Sequence, residues 1–366
     1  MAKRVLMLLS NEYRPDPRVE KEARTLSGKR MDMTVLCWDR EHAYPPERDE
    51  NGVHVVRVRT KKVKDKPSLA RNYLFFVLKA LRSAKGREFD AVHAHDLDTL
   101  PIGLLVSRLH GKRLVFDAHE HYSRMVEPDV PHFIVPLLDW IEARMVRCTD
   151  RVIAANDMIA EYLQPYAREK VVVVMNCIDP PKAAERRERE GLTVFYGGAL
   201  EPQRYILEVA EAVERCDGVR MRIAGTGSLQ PKVEEMARRS TGKIEFLGYL
   251  DQARMREEIT SADIMVALLD PINENNRIGT PNRLFEAMAL GTPVLATEGT
   301  LSGRIVKEEK SGLTMDWTKD QLCDVIRPLR TPGKGEEMGR NGIRAVSERY
   351  NWKEMSKRLF LLYDSI

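Results

Sequence analysis

At 366 residues, the chain is long for a single hydrophobic core and fits two domains. Its 43% hydrophobic and 31% charged residues are typical of a soluble globular protein. No apolar run approaches the ~20 residues that a bilayer-spanning helix needs, so we expect any contact with a membrane to be made from its surface. The short apolar run after Lys3 and Arg4 is soon followed by charges, which favours a first buried strand over a signal peptide.

Charge and cysteine usage suggest where the protein acts. The net charge is +4, but the segment from Arg57 to Arg87 holds eleven Lys or Arg residues and one acid, Asp65. That local balance of +10 leaves about −6 for the remainder of the chain. The five cysteines lie far apart, and no pair has the spacing of a zinc or redox motif, so we expect a reducing, cytoplasmic compartment.

Short β-rich runs alternate with amphipathic helical stretches, a pattern typical of parallel α/β layers. The strands predicted in the first series are Val5–Leu9, Met33–Cys37, Val53–Val58, Ala91–Ala94, Arg113–Phe116, Arg151–Ala154 and Val171–Val174. Helices predicted between them include Arg18–Leu26, Ser68–Lys85 and Val135–Arg147. We therefore predict an N-terminal Rossmann-like domain over residues 1–178.

A polar, charged stretch at residues 179–191 interrupts the pattern and is interpreted as an interdomain linker. The second series predicts strands Thr193–Tyr196, Val219–Ala224, Ile244–Phe246, Ile264–Ala267, Pro293–Ala296 and Leu313–Met315, with helices at Glu336–Arg349 and Trp352–Tyr363. Residues 192–349 then form a second Rossmann-like domain. Ligands of such sheets usually bind in a cleft, so we expect a ligand cleft between the two α/β domains.

The segment from Gly279 to Thr297 carries the strongest functional signal. It is predicted to be a loop, a helix with one acidic residue, a Gly-Pro turn and a buried strand. Backbone N–H groups that open a helix form a natural anion site. Glu286, one turn into that helix, can accept hydrogen bonds from a ribose diol. The pattern predicts a nucleotide-binding pocket.

Further motifs follow in an order that resembles the retaining glycosyltransferases of family 4. They are Asp16–Ala23, Val92-His93-Ala94-His95-Asp96, Phe116-Asp117-Ala118-His119-Glu120, Asn176-Cys177-Ile178-Asp179, Tyr196–Leu200 with Arg204, Ala224–Gly227 and Phe246–Tyr249. The resemblance covers nearly the whole chain. It implies the GT-B fold, with two Rossmann-like domains facing across a cleft and a C-terminal helix of about residues 350–366 crossing back to the first domain.

The resemblance also implies roles for particular residues. The second domain is expected to hold a nucleotide-sugar donor, with Glu286 on the ribose. The diphosphate and nucleotide site would be completed by Arg204, Thr280, Asn282, Arg283, Gly225 and Gly227. A guanidinium can hold phosphate oxygens bidentately, which suits the two arginines. Basic groups and a helix N-terminus then neutralise the leaving diphosphate, so we expect no metal and no other cofactor.

In the first domain, His119 is expected to act on the donor sugar, and Arg18, His95 and Asp96 are expected to line the acceptor pocket. Two alternatives stay open: Arg18 could pair with Glu22 four residues on, and the histidines could only satisfy loop backbone groups. A metal site among His93, His95, Asp96 and Asp98 is disfavoured because this spacing has no partner cluster.

The predicted helix Ser68–Lys85 is basic and unusually apolar. Leu69, Tyr73, Phe76 and Ala80 share one face at helical spacing, which usually indicates core packing. Other apolar residues widen that surface, and lysines precede the helix, so docking to an anionic membrane surface is plausible and would suit a lipid-linked acceptor. The segment from Arg57 to Arg87 has no nucleic-acid motif, so no nucleic acid is expected.

The chain departs from the family pattern at three places. Ile278 stands where many members have a first glutamate, eight positions before Glu286; Ala199 stands where an arginine is common; and Ser10-Asn11-Glu12 replaces a glycine pair. Two other functions therefore stay open: a nucleotide-sugar epimerase or hydrolase on the same fold, which would need cleft carboxylates poised for proton transfer, and a non-catalytic nucleotide- or glycan-binding relative.

Overall fold

The computed structural model describes residues 2–14, 16–29, 31–62, 65–127, 130–180, 191–316 and 321–366, with backbone only at residues 66 and 67. The chain divides into two compact units. Unit 1 comprises Met1–Asn176 and Met355–Ile366, and unit 2 comprises Cys177–Glu354. Most of the predicted linker, residues 181–190, lies outside the described residues.

Unit 1 is built on a largely parallel sheet. Its strands are β1 (Arg4–Leu9), β2 (Asp32–Asp39), β3 (Glu47–Glu50), β4 (Val53–Arg59), β5 (Ala91–His95), β6 (Arg113–Ala118), β7 (Arg151–Ala154) and β8 (Val171–Val173). Their order is β3-β4-β2-β1-β5-β6-β7-β8, and only the edge pair β3–β4 is antiparallel among the described strands. The central strand β1 is buried from Val5 to Leu9, as expected for a strand covered on both faces.

Six α-helices are described between the strands of unit 1, and some of them begin at a capping side chain. They are α1 (Pro17–Ser27), α2 (Lys66–Lys85), α3 (Asp96–His110), α4 (Tyr122–Val126), α5 (Ile134–Val146) and α6 (Asp157–Ala167). Asp16 caps α1 by accepting a hydrogen bond from the Val19 N–H at 3.1 Å. Gly103 lets α3 lie close to the sheet, because a Cβ there would stand 3.0 Å from the Ala94 Cβ.

Unit 2 contains a parallel sheet in the order β11-β10-β9-β12-β13-β14. Its strands are β9 (Leu192–Gly197), β10 (Val219–Ala224), β11 (Ile244–Phe246), β12 (Ile264–Ala267), β13 (Val294–Thr297) and β14 (Gly312–Met315). Its helices are α7 (Ile206–Arg215), α8 (Gln230–Arg239), α9 (Gln252–Thr260), α10 (Glu274–Ile278), α11 (Asn282–Ala289), α12 (Leu301–Glu309), α13 (Leu322–Ile326) and α14 (Lys334–Glu348). The last helix, α15 (Trp352–Asp364), lies in unit 1 from Met355 onward.

The predicted α/β class with two parallel sheets is confirmed. The strand β3 escaped prediction because its sequence, Glu-Arg-Asp-Glu, has no apolar pattern. Cys216 and Cys323 form a disulfide between the end of α7 and α13, with Cα atoms 5.6 Å apart, which the reducing compartment predicted from the cysteine spacing did not anticipate. Among the described helices, none is both long enough and apolar enough to cross a bilayer.

Candidate functional site

A cluster of ionisable side chains occupies unit 1 where β5 and β6 end. His95 and Asp117 are direct partners in the parallel register of these strands. His93 precedes His95 by two residues, so both rings point to the same face and stack with centroids 4.2 Å apart. The carboxyl ends of parallel strands share one edge of the sheet, which is the usual place for a ligand site.

His119 lies between two carboxylates just beyond β6. Its Nδ1 is 3.2 Å from Asp96 Oδ2, and its Nε2 is 3.2 Å from Asp117 Oδ2. Burial alone would lower the pKa of His119, but the two carboxylates outweigh it and raise the pKa to about 9. The ring is therefore an imidazolium at neutral pH, and it can donate hydrogen bonds to an anionic or oxygen-rich ligand.

Asp96 is held in a conformation that few side chains adopt. Its φ of +61° lies in the left-handed region, at the point where β5 gives way to α3. This turn allows Asp96 Oδ1 to accept a hydrogen bond from the His119 N–H at 3.1 Å while Oδ2 faces the ring. Strained residues of this kind often lie at functional sites.

Arg18 lies beneath this pair and is 6% exposed. Its guanidinium donates to Asp117 Oδ1 at 2.8 Å and to the Val174 carbonyl at 2.8 Å, and it lies 3.2 Å from Glu22 Oε1. Although burial would raise the pKa of Asp117, Arg18 and His119 hold it well below its ordinary value. Burial and the adjacent Asp117 charge raise the pKa of Glu22 to about 8 despite Arg18. At neutral pH the anion of this group is therefore Asp117, and Glu22 carries a proton.

The deepest part of the cluster has the donor set of a metal site. Atoms of Glu22, His93, His95 and Asp117 lie within 4.8 Å of one another, and all four residues are buried. The Tyr363 hydroxyl lies 2.8 Å from His93 Nδ1 and orients that ring from α15. Because Glu22 is protonated and Arg18 contacts Asp117, the positive charge that the Asp117 carboxylate requires is already present as a guanidinium.

The sequence predictions for unit 1 are thus brought together in one group. Asp96 and His119 keep partial exposure, with side chains 30% and 16% accessible. Arg18 and His95 lie behind them and are almost fully buried. The expected acceptor contacts of these two residues stay predictions, and the contacts described above give them a supporting position under His119.

In unit 2 the predicted phosphate-binding arginines share one small cavity of about 120 Å³. Arg204 and Arg283 line it together with Gly197, Gly198 and Ala199 at the end of β9. Gln203 and Tyr205 on either side of Arg204 both have positive φ, of 68° and 56°. This sharp turn carries Arg204 to the carboxyl end of β9, where Ala199 has no side chain long enough to supply a charge.

Glu286 lies near the same cavity on α11, which begins at Asn282 after the Pro281 N-cap. Its carboxylate accepts a hydrogen bond from the Arg283 guanidinium, three residues earlier. Phe285 and Ala287 on either side are buried, whereas the Glu286 side chain is 24% exposed. The structure therefore places the expected ribose ligand and an expected diphosphate ligand in direct contact.

Two glycines are required by close backbone approach beside this cavity. At Gly225, with φ +139°, a Cβ would stand 1.8 Å from the Gly198 carbonyl oxygen. At Gly227, with φ +155°, a Cβ would stand 2.4 Å from the Leu200 carbonyl oxygen. These positions pack the loop after β10 against the loop after β9, so the glycines shape the predicted nucleotide site rather than supply side chains to it.

The remaining predicted positions surround the start of α11. Thr280 is half-buried and Asn282 is exposed, and their contacts with a donor stay predictions. Ile278 ends α10 and is 7% exposed, so an apolar side chain fills the position where many family members have a glutamate. Glu274, the nearest earlier acid, pairs with Arg277 on α10.

The sequence analysis missed several residues of the unit 1 cluster and of the unit 2 cavity region. In unit 1 it did not assign Glu22, Asp117 or Tyr363 as site residues. In unit 2 it missed Glu201, whose carboxylate accepts from the Ser228 N–H at 3.0 Å and so fixes the loop after Gly227. The one available signal was an acidic residue on a strand, at Asp117, between otherwise apolar neighbours.

Comparisons with known proteins agree with this architecture. The profile of Glycosyltransferase Family 4 matches residues 18–182, and that of Glycosyl transferases group 1 matches residues 191–330. A phosphatidyl-myo-inositol mannosyltransferase of Mycobacterium leprae is 25% identical over 295 residues, which cover 76% of this chain and 74% of that protein.

Solved structures show the same fold over the whole chain. Sucrose-phosphate synthase from Thermosynechococcus elongatus has a TM-score of 0.79 at 14% identity, with 99% of this chain and 98% of that one covered. The Anabaena protein HepE, solved in complex with UDP, has a TM-score of 0.74 at 15% identity, with both chains fully covered at 100%.

The fold and these matches define a glycosyltransferase of the GT-B type. Within that class, the chain belongs to glycosyltransferase family 4.

Proposed function

We propose that this glycosyltransferase moves a sugar from a nucleotide-sugar donor to an acceptor hydroxyl with retention of the anomeric configuration and without a metal ion. Unit 2 binds the donor, and unit 1 supplies His119 and the acceptor pocket. The observation that carries the proposal is that Arg204 and Arg283 line one cavity while Glu286 accepts a hydrogen bond from Arg283.

The two arginines suit the diphosphate of a nucleotide sugar, and Glu286 suits its ribose. The leaving nucleoside diphosphate gains negative charge as the bond to the sugar breaks, and fixed guanidinium groups stabilise that charge. The Glu286 carboxylate accepts hydrogen bonds from the ribose diol. Relatives support this donor class, since HepE was solved with UDP and with UDP-glucose.

Metal independence is proposed because cationic side chains are present both at the cavity of unit 2 and in the ionisable cluster of unit 1. Arg204 and Arg283 face the proposed diphosphate, and Arg18 and protonated His119 accompany the buried carboxylates of unit 1. His119, as a cation, is proposed to donate a hydrogen bond to the sugar being transferred. Asp96 and Asp117 hold it in that protonation state.

The acceptor is proposed to be a glycan or a lipid-linked hydroxyl compound. The lipid alternative is supported by the relatives that are phosphatidyl-myo-inositol mannosyltransferases and by the basic segment from Arg57 to Arg87. A lipid-linked acceptor would place the protein peripherally at the inner face of a membrane. The Cys216–Cys323 disulfide removes the cysteine argument for a reducing compartment, so a cytoplasmic location stays a prediction.

The test is a transfer assay with UDP-glucose and GDP-mannose as donors, and with glucose and phosphatidylinositol vesicles as acceptors. Mass spectrometry should detect a glycosylated acceptor for one donor, at an unchanged rate in EDTA, and NMR coupling constants should show the donor's anomeric configuration in the product. His119→Ala and Glu286→Ala should abolish transfer, whereas Arg24→Gln, on the exposed side of α1, should not.

Other outcomes select the competing functions. Donor conversion without any acceptor would indicate an epimerase or hydrolase, and inversion of configuration would contradict the retaining mechanism. Loss of transfer in EDTA that added Mg²⁺ restores would contradict metal independence. Tight binding of a nucleotide with no turnover for any acceptor would favour the non-catalytic relative, for which Ile278 is the best sequence argument.

A further inference from the structure

Three neighbouring helices of unit 1 expose a surface of unusual composition. Helix α2 packs against α3, and α3 packs against α5. Where side chains are described, every exposed residue of these three helices is either apolar or basic. They are Leu69, Ala70, Arg71, Leu74, Phe75, Leu78, Lys79, Arg82 and Lys85 on α2, Leu105, Arg108 and Leu109 on α3, and Pro136, Leu137, Trp140 and Arg144 on α5.

The apolar members of this surface are large and strongly exposed. Leu74 and Leu78 on α2 are 64% and 63% exposed, Leu109 on α3 is 76% exposed, and Trp140 on α5 is 57% exposed. An apolar patch shared by several helices is uncommon on a monomeric protein and marks an interaction site. Exposed single leucines elsewhere, such as Leu361 on α15, have no such neighbours of their own type on the same helix.

Each helix arranges these residues as a stripe at helical spacing. On α2 the stripe runs Arg71, Leu74, Leu78, Arg82 and Lys85, so apolar residues in the middle have basic residues at both ends. The same helix buries Asn72, Phe76 and Ala80 on its opposite side. On α5, Leu137, Trp140 and Arg144 follow the same spacing, with a basic residue at the C-terminal end, and the Arg144 guanidinium lies 5.3 Å from the Trp140 ring centroid.

The acids of these helices face away from the surface. Asp96 and Asp98 lie at the start of α3, where Asp98 accepts a hydrogen bond from Ser10 at 2.5 Å. On α5, Glu142 is buried and accepts from the Tyr162 hydroxyl at 2.8 Å, and Asp139 lies 3.5 Å from His121. The exposed faces of these helices therefore carry positive charge and no acid of their own. Exposed acids lie at the borders of the surface, at Asp65 and Glu88 on either side of α2 and at Asp157 and Glu161 on the neighbouring helix α6.

The basic segment recognised in the sequence overlaps this surface only in part. Arg57 pairs with Glu50, Arg59 with Asp39 and Arg87 with Glu47, so three of its eleven cations are matched by acids elsewhere in unit 1. Within the basic segment, the cations that lie beside exposed apolar residues are those of α2. The surface also includes Arg108 of α3 and Arg144 of α5, which lie outside that segment.

We propose that the exposed faces of α2, α3 and α5 together form a docking surface for an anionic lipid bilayer. Leucine, phenylalanine and tryptophan side chains enter the boundary between headgroups and acyl chains, and the flanking Lys and Arg residues contact the anionic headgroups. Tryptophan favours this boundary because its ring is apolar and its N–H is polar. The inference deepens the proposed lipid-linked acceptor, but vesicle binding itself requires neither donor nor turnover.

The first experiment measures binding of the whole chain to phosphatidylcholine vesicles with and without 30% phosphatidylglycerol. The wild type should co-float with the anionic vesicles, and binding should weaken with added salt because surface charges are screened. Leu109→Ser/Trp140→Ser should reduce the partition coefficient at least about tenfold, although both residues lie outside the basic segment of the sequence. Leu361→Ser, an equally exposed leucine on α15, is the matched control and should bind within about twofold of wild type.

A second measurement locates the contact at Trp140. Acyl chains brominated near the headgroup should quench part of the tryptophan fluorescence, and Trp140→Phe should remove that quenching while still binding vesicles. Trp38 and Trp352 are buried and should stay unquenched. Trp317 lies outside the described residues, so both proteins carry Trp317→Phe in this measurement.

Several results would overturn the proposal. These are failure of the wild type to bind anionic vesicles, equal binding by Leu109→Ser/Trp140→Ser with an unchanged melting temperature, or quenching that persists in Trp140→Phe. A concentration-dependent dimer in solution that the same double variant abolishes would assign the surface to a second copy of the chain instead. Sugar transfer to a soluble acceptor without vesicle binding would leave the proposed enzyme activity intact and remove only the docking surface.

Discussion

His119 and Asp96 contact each other twice. Asp96 Oδ1 accepts the backbone N–H of His119 at 3.1 Å, and Asp96 Oδ2 lies 3.2 Å from the ring Nδ1. The backbone contact fixes the loop after β6, and the side-chain contact fixes the orientation and the charge of the ring. Asp117 adds a second carboxylate at Nε2, so the ring is held from both sides.

The charge on His119 should make stability depend on pH. The pKa of His119 rises from 6.5 to about 9 on folding, so its stabilisation is complete below pH 6.5 and is lost as the pH rises through 9. The raised pKa of Glu22, about 8, adds a loss in the same direction between about pH 4.5 and 8. We expect the melting temperature of wild type to fall steadily from pH 6.5 to 9.

Calorimetry across this range, on wild type, His119→Gln and Glu22→Gln, checks the assignment. His119→Gln should flatten the fall between pH 6.5 and 9, and Glu22→Gln should flatten it mainly below pH 8. The His119 contribution should be on the order of 3 kcal/mol, because its pKa rises from 6.5 to about 9 and each pKa unit corresponds to about 1.4 kcal/mol. A wild-type profile that rises with pH over this range would contradict these protonation states.

Arg18 should matter for stability more than its position on the first helix suggests. Arg18→Met would leave the buried Asp117 without its guanidinium partner, which should cost about 3–5 kcal/mol. Arg18→Lys should recover only part of this loss, because one ammonium cannot reach both Asp117 and the Val174 carbonyl in the same geometry. Denaturant unfolding measures both, with exposed Arg24→Met on the same helix as the control.

If Arg18→Met unfolds like wild type, Arg18 does not sustain the buried group. Its predicted role as an acceptor ligand would then become the better explanation for the residue.

The glycine at position 225 tests how the donor loop is built. Gly225→Ala should destabilise unit 2 by about 3 kcal/mol or more, because the new Cβ would collide with the Gly198 carbonyl in a backbone conformation that alanine disfavours. Gly242→Ala is the matched control, since Gly242 also has positive φ, +88°, but no atom lies within 4 Å of a Cβ there. It should cost only about 1 kcal/mol.

Thermal unfolding of the two variants separates steric collision from backbone strain. If Gly225→Ala and Gly242→Ala lowered the melting temperature equally, the close approach of the loops after β9 and β10 would add no steric cost to the alanine at position 225.

The disulfide predicts a redox-dependent stability. The bond between Cys216 and Cys323 closes a loop with a sequence separation of 107 residues, and its removal should cost about 2–4 kcal/mol. Thiol titration of the oxidised, denatured chain should find three free cysteines, Cys37, Cys148 and Cys177. Reductant should lower the melting temperature of wild type but not of Cys216→Ser/Cys323→Ser, and Cys148→Ser should behave as wild type. Five reactive thiols in the chain as isolated would contradict the bond.

Much of the fold could be predicted because buried parallel strands are local apolar runs. Arg151–Ala154, Val219–Ala224 and Ile264–Ala267 have the predicted bounds without change. The antiparallel edge strand β3 was missed since its four charged residues carry no hydrophobic signal, and among the described strands it pairs only with β4.

The candidate site was harder to predict for a different reason. Glu22, His93, Asp117 and Tyr363 come from α1, β5, β6 and α15, so only the folded chain shows that they form one buried group. Cys216 and Cys323 likewise meet through packing of α7 against α13. Local motifs identified neighbouring residues correctly where these lie in one continuous segment, as with Arg283 and Glu286.

The central claim, that unit 2 binds a nucleotide-sugar donor through Glu286, is tested most directly by a thermal-shift panel of UDP, GDP, ADP and their sugar conjugates. A ligand that binds the native state raises the melting temperature by mass action, and at about a hundred times its Kd it adds about 2.7 kcal/mol. We predict that one nucleotide class stabilises wild type and Glu274→Ala, which removes a comparable acid–arginine pair on α10, but not Glu286→Ala. Equal stabilisation of Glu286→Ala, or no stabilisation of wild type by any nucleotide at millimolar concentration, would contradict the account.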